Sequence, residues 1–286
     1  MIIKSSMSDA RAMELPPLRS GSVRIASIDV EWTKNYRIKN GQRPFCYSAV
    51  WLDLPLGGTT DLSQAPFEWA SFYVDEPDEM PYLVRHAAMC VTNSARTATI
   101  ITGHQFCADL SVLEANAPQD AVPLLRRERE QWRQRRDAEP DTSHYVDTRY
   151  DAGHILTGTS RRLVDVCAEL GLDVTQPELL KKSMPAWHRL WVEDGESEGR
   201  ERVSVLNLRH SLSTAYVAAL TAGLACRPDT GLNVNRVLAE AAHGAWAWLE
   251  NPTFTNLLED RCPSASAASS PSKAPRPQGK RRSSTR

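Results

Sequence analysis

Asp29-Val30-Glu31 lies within V-R-I-A-S-I-D-V-E-W (Val23–Trp32), a run whose β-branched residues and alternation read as a strand. On a strand, residues i and i+2 project from the same face. Asp29 and Glu31 therefore stand side by side, and Val30 turns into the core behind them. Two adjacent carboxylates repel each other unless a cation lies between them. Hard oxygen ligands of this kind suit Mg²⁺ or Mn²⁺. A bare D-x-E pair is also what a solvated acidic edge strand carries, so the neighbouring elements have to decide between the two.

The next such element is Ile100–Leu113, I-I-T-G-H-Q-F-C-A-D-L-S-V-L. A strand over Ala95–Thr102 runs into Gly103-His104, and a helix near Asp109–Ala115 follows. Asp109 falls in the first turns of that helix, where a negative charge is favourable in its own right. Further on, Tyr145–Thr148 reads as a strand, and a helix around Ser160–Leu170 ends at Gly171, a residue suited to a C-cap. Asp147 reads as a loop or helix-start residue. His210 lies on a helix expected over Val203–Ala222, either as an ordinary polar position or as a general base.

These elements order into a mixed architecture. Phe45–Leu54 and Glu68–Val74 are strands that follow Val23–Trp32 through short turns, as in an antiparallel meander. Alternating helices and strands come after them. The fold class expected is α/β, with a mixed five-stranded sheet of meander plus parallel strands, flanked by helices. Residues 1–20 read as a flexible leader and 183–202 as irregular. Val234–Leu249 reads as helical, within a C-terminal extension over 226–261. The Ser/Pro/Ala-rich segment 262–286 has basic residues and no acid, which predicts a disordered basic tail.

Taken together, the Asp29-x-Glu31 strand, the Gly103-His104-Gln105…Asp109-Leu110 turn and helix, and Asp147-Thr148 followed by Leu163–Leu172 resemble the DEDD (DnaQ-like) 3′-5′ exonuclease superfamily. The likeness covers roughly residues 21–222 and implies an exonuclease-like domain over 21–225, with an Arg-rich helical insert at 123–138. It implies a ribonuclease-H-like fold and two-metal hydrolysis of phosphodiester bonds at single-stranded DNA or RNA 3′ ends, with Mg²⁺ or Mn²⁺ as cofactor. Asp29, Glu31 and Asp109 would then be metal ligands and catalytic residues, and His210 a catalytic residue.

The resemblance breaks at the fourth carboxylate. Members of the superfamily carry an Asp on the last helix, four residues after a Tyr or five after a His. Aligned on His210, that place falls on Thr214 or on Ala215, and no Asp or Glu occurs between Glu201 and Asp229. The site could work slowly with one metal, or borrow a carboxylate from Asp147, Glu193, Asp194 or Glu201. The remaining alternative is a catalytically degenerate domain that binds nucleic acid or a replication or repair partner.

The formal net charge of -1 gives no global attraction to nucleic acid, so contacts must be local. Candidates are His104, Gln105 and Thr214 near the carboxylates, and Arg126 and Arg133 in an arginine-rich helix at Pro123–Ala138. Glu128 and Glu130 could equally neutralise that helix. Trp187 and Trp191, near Lys181 and Lys182, could stack on an unpaired base or pack into the core. Six cysteines without a C-x-x-C pair argue against a zinc ribbon and fit a reducing cytoplasm. No apolar run reaches the roughly 20 residues of a membrane helix. Arginine outnumbers lysine 27 to 7, which fits a GC-rich bacterial genome.

Overall fold

A computed structural model describes residues 1–10, 15–33, 42–57, 60–137, 145–226 and 231–259. The basic tail and Ala138 lie outside the described residues. The main sheet is built from β1 (Ile2–Ser5), β2 (Ser22–Thr33), β3 (Arg43–Pro55), β4 (Phe67–Tyr73), β5 (Ile100–Gly103) and β6 (Tyr145–Asp147), in the order β1-β4-β3-β2-β5-β6. β2, β3 and β4 form an antiparallel meander, and β5 and β6 continue from β2 in parallel. The architecture is thus α/β with a mixed sheet flanked by helices.

Among the described residues the sheet has six strands, not five. The leader expected to be flexible contributes β1, whose Ile2 and Ile3 pair with Tyr73 and Phe72 and pack against the core. An apolar pair covering the open edge of β4 removes a row of unpaired backbone groups from solvent.

The alternation of β2 feeds two cores, one on each face. Val23 and Ile25 face the long helix α6 (Ser197–Thr221), while Ala26, Ile28 and Val30 face α1 (Met80–Thr97) and α2 (Phe106–Asn116). Arg24 and Asp53 sit opposite each other across β2 and β3 and join by two hydrogen bonds of 2.7 and 2.6 Å, which helps fix the register. The helix α3 (Val122–Gln134) packs beside α1 and α2, and α4 (Leu163–Glu169) ends at Gly171 with φ +75°, the left-handed cap expected of that glycine.

Three expectations about helices change. The segment 183–202 is ordered: α5 (Met184–Asp194) begins with Pro185 in its first turn, ends at Gly195 with φ +69°, and leads directly into α6. α5 and α6 approach closely because Gly199 has no side chain, and a Cβ there would stand 2.6 Å from the Trp187 carbonyl oxygen. The single helix expected over Val234–Leu249 is broken into α7 (Val234–Ala241) and a 3-10 turn at Ala247–Glu250, with Gly244 at φ +73° between them. Residues 95–97 finish α1 rather than begin a strand. No helix of the described residues is long and apolar enough to cross a membrane.

Candidate functional site

The site forms where β2, the start of α2 and the middle of α6 meet. On β2 the strand period puts Asp29 and Glu31 on the α6 side, and Val30, 2% exposed, in the opposite core. A bulge between Glu31 and Trp32 shifts the pairing with β3 just beyond the two acids.

Asp109 is delivered by the turn after β5. Gly103 is required there, because a Cβ would lie 2.6 Å from the Phe106 ring. Gln105 takes a left-handed conformation (φ 68°, ψ 41°), which is uncommon for a residue with a side chain. Asp147 pins this turn from β6. It accepts hydrogen bonds from the Gln105 and Phe106 amides, both 2.9 Å, and from Trp132 Nε1 at 3.1 Å. It thereby supplies acceptors to orphan donors at the start of α2. One turn later Asp109, 4% exposed, accepts the Val30 amide at 3.2 Å, which binds the helix to the acidic strand.

From α6 come two residues three apart, and hence on one face. Asn207 Nδ2 donates to Asp29 Oδ2 at 2.6 Å and to the Asp29 carbonyl at 3.2 Å. His210 Nδ1 stands 3.5 Å from Asp29 Oδ2 and 3.6 Å from Glu31 Oε1. Its other ring nitrogen, Nε2, meets the side-chain amide of Gln176 at 2.9 Å. Among the described residues, ligand atoms of Asp29, Glu31 and His210 all lie within 4.8 Å of one another.

The electrostatics of this cluster are set by burial and crowding. Burial, with Asp29 alongside, pushes the Glu31 carboxyl up to about 7 against the opposing pull of His210. Burial and the charges of Asp29 and Glu31 hold Asp109 well above the usual carboxylate range. Burial alone would depress the His210 imidazole, but its contacts with Asp29 and Glu31 outweigh that and carry it up to about 10. Burial raises the Cys46 thiol behind the site, and the two acids raise it further. The carboxylates thus have less positive charge near them than they need, and among the described residues His210 is the group that compensates. A donor set of two carboxylates, Asp29 and Glu31, and the His210 imidazole fits a divalent cation, and Asp109 lines the same cleft.

The acids floor a cleft of about 390 Å³, lined also by Trp32, His104, Gln105, Ala108, Met184 and Pro185. His104 is held on both nitrogens, by Thr148 Oγ1 at 3.0 Å and the Arg161 carbonyl at 2.9 Å, and burial lowers it to about 4. It is a neutral, fixed wall. Gln105 is exposed at the lip.

Of the four residues the sequence singles out, the fold brings ligand atoms of Asp29, Glu31 and His210 within 4.8 Å of one another, while Asp109 lines the same cleft outside that group. The fold does not supply the missing acid from the four candidates. Asp147 is consumed by the turn that opens α2, Glu201 accepts the Trp248 amide at 2.9 Å, and Glu193 and Asp194 are exposed at the end of α5. Two nucleic-acid contacts need correction. Thr214, 2% exposed, is packed inside α6's buried face one turn beyond His210 and cannot meet a substrate. Trp187, 7% exposed, donates to the Glu178 carbonyl at 2.8 Å and is stacked by Lys182 and Arg202, so no face is left for a base. Arg126 and Arg133 are exposed and pair with Glu114 and Glu130, which makes α3 a salt-bridged surface helix.

Sequence reasoning missed Asn207 and Gln176. Asn207 is accessible in principle as the residue three before His210 on the same helix. Gln176 carries no local signal, since it lies in a loop and its role depends on where α6 docks.

No protein-family model matches the chain, and no curated protein matches it.

Proposed function

We propose that this chain is a metal-dependent 3′-5′ exonuclease with a ribonuclease-H-like fold, acting on phosphodiester bonds at single-stranded DNA or RNA ends with Mg²⁺ or Mn²⁺. The observation that carries the reading is the convergence of Asp29 and Glu31 on one strand face with Asp109 from the helix after the neighbouring parallel strand, at the floor of one open cleft. The sheet, a meander continued by two parallel strands, supports the fold assignment.

Asp29, Glu31 and Asp109 would hold the cation. When bound, it supplies Lewis-acid stabilisation of the phosphoryl oxygens and a lowered pKa for the attacking water. The chain's own residues do the positioning. Asn207 fixes the Asp29 carboxylate, the Val30 amide fixes Asp109, and Gln176 fixes the His210 ring. His104 and Trp32 wall the cleft, and the exposed side chain of Gln105 lies at its lip.

A second reading is favoured by one observation: among the described residues the cluster holds only two carboxylates, Asp29 and Glu31, within 4.8 Å of each other and of His210. It is a catalytically degenerate domain that holds nucleic acid ends or a replication or repair partner. The experiment that separates the two uses 5′-labelled single-stranded DNA and RNA, in Mg²⁺ and in Mn²⁺, beside an Asp29→Ala/Glu31→Ala protein. A ladder of products shortened from the 3′ end, lost in the variant, is expected. Tight end-binding without any product from the wild type would replace the enzyme with the binding domain.

A further inference from the structure

The distances around His210 are long for charge-assisted hydrogen bonds and suit a shared ion. A charge-assisted hydrogen bond from an imidazolium to a carboxylate closes to about 2.7–2.9 Å. His210 Nδ1 instead stands 3.5 and 3.6 Å from its two acids. Donor atoms that share one metal ion with bonds of about 2.0–2.2 Å stand roughly 3–3.5 Å apart. His210 Nδ1 stands close to that spacing from Asp29 Oδ2 and from Glu31 Oε1, and ligand atoms of the three residues all lie within 4.8 Å of one another.

The far side of the ring fits the same role. A ligating imidazole gives its remote N–H to an outer partner that fixes the tautomer and the ring plane. Gln176 is in that place at 2.9 Å from Nε2. Its amide presents a carbonyl to Nε2–H after a half-turn of the side chain, which leaves the Nδ1 lone pair directed at the acids. Asn207 meanwhile orients Asp29 from the same helix face.

We propose that His210 is itself a metal ligand through Nδ1, in the place where the superfamily's fourth carboxylate would act, and that the site therefore favours divalent cations that accept nitrogen over Mg²⁺. The inference rests on the metal-dependent reading above and deepens it. Exchanging an anionic oxygen for a neutral nitrogen removes one negative charge from the donor set. It also adds a ligand that suits Mn²⁺, Co²⁺ or Zn²⁺ better than the hard, strongly hydrated Mg²⁺. Gln176 becomes a positioning residue that acts through the ring.

The test is binding, read without turnover. Co²⁺ and Mg²⁺ affinities are measured by calorimetry for the wild type and for His210→Asp, which restores a fourth carboxylate. The ratio of Co²⁺ to Mg²⁺ affinity should fall by roughly tenfold or more in the variant. In parallel, the wild type labelled with ¹⁵N-histidine is titrated with Zn²⁺. The His210 Nδ1 resonance, assigned by its loss in His210→Asn, should move to a metal-bound position while Nε2 stays protonated. This second measurement needs no variant that folds differently. Saturable binding with an unmoved Nδ1 resonance, or with the same ratio in His210→Asp, overturns the inference and leaves the metal-dependent reading intact. Absence of saturable binding to the wild type overturns both.

Discussion

Arg209 and His210 are neighbours in the sequence, yet α6 sends them into two charged clusters of opposite character. Arg209 is 0% exposed and meets Glu178, 1% exposed, through two hydrogen bonds of 2.8 and 2.7 Å. Trp248 Nε1 adds a third at 3.0 Å. Burial would raise the Glu178 carboxyl, but Arg209 and Trp248 outweigh it and hold it below the usual range. His210, one residue on, faces Asp29 and Glu31, with Asp109 lining the same cleft, and there burial and mutual repulsion win: Glu31 and Asp109 are raised. The same loop serves both, since Glu178 meets Arg209 and Gln176 meets His210. One cluster is closed and balanced. The other opens on a cleft and carries more negative charge than its surroundings compensate. The first belongs to the fold, and the second is the site proposed above for a cation.

Glu178 is where this contrast should produce the largest effect. Glu178→Gln leaves Arg209 buried without its counter-charge and should cost about 3–5 kcal/mol in urea-induced unfolding. Replacing both partners, as Glu178→Leu with Arg209→Met, should recover most of that loss, since a well-packed apolar pair is close to neutral. If the single variant unfolds like the wild type, the closed cluster is not structural.

A buried group that stays neutral gives the next effect. His188 stacks on Phe45 at 4.0 Å and meets Tyr73 Oη at 2.9 Å, and burial lowers its imidazole to about 4. Its folded pKa lies below the ordinary unfolded value of about 6.5, so the unfolded chain binds the proton first. Its contribution is therefore constant above about pH 6.5 and is lost as pH falls from there towards 4, in total about 3 kcal/mol. Thermal melts across that window should show a flatter loss of stability for His188→Gln than for the wild type. An unchanged acid limb would refute the assignment.

The open cluster should respond with the opposite sign to the closed one. Glu31→Gln removes a repelling charge and should stabilise the chelator-treated protein by roughly 1–3 kcal/mol at about pH 8, while abolishing metal binding and cleavage. Loss of stability in this variant would mean that the acids support the fold rather than burden it. The smallest effect concerns the turn that delivers Asp109. Gln105→Gly relieves the left-handed backbone and should raise stability by about 1 kcal/mol, read as a small rise in Tm.

Much of the open cluster can be read from the amino-acid sequence. The D-x-E face, the Gly103 turn, Asp109 early in a helix and the Gly171 cap all depend on residues within a few positions of one another, where strand period and glycine freedom act directly. The segment containing α5 reads as irregular because its acidic residues cluster at a helix end, where Gly195 caps one helix and the next begins. The leader reads as flexible because four residues carry too little pattern to announce a strand that pairs with Tyr73 and its neighbours.

The three acids, the faces they share and the absence of a fourth between Glu201 and Asp229 follow from the order of residues alone. Local periodicity suffices for them, because each is a matter of which way successive side chains point. Which turn of α6 meets β2 is settled by long-range packing instead. That packing selects Asn207 and His210 and leaves Thr214 buried one turn away, brings Gln176 behind the ring, and commits Asp147 to the α2 turn. A 25-residue helix offers several turns of equal local quality, and the choice among them comes from contact with a strand far earlier in the chain, as the separation of 178 between Asn207 and Asp29 records.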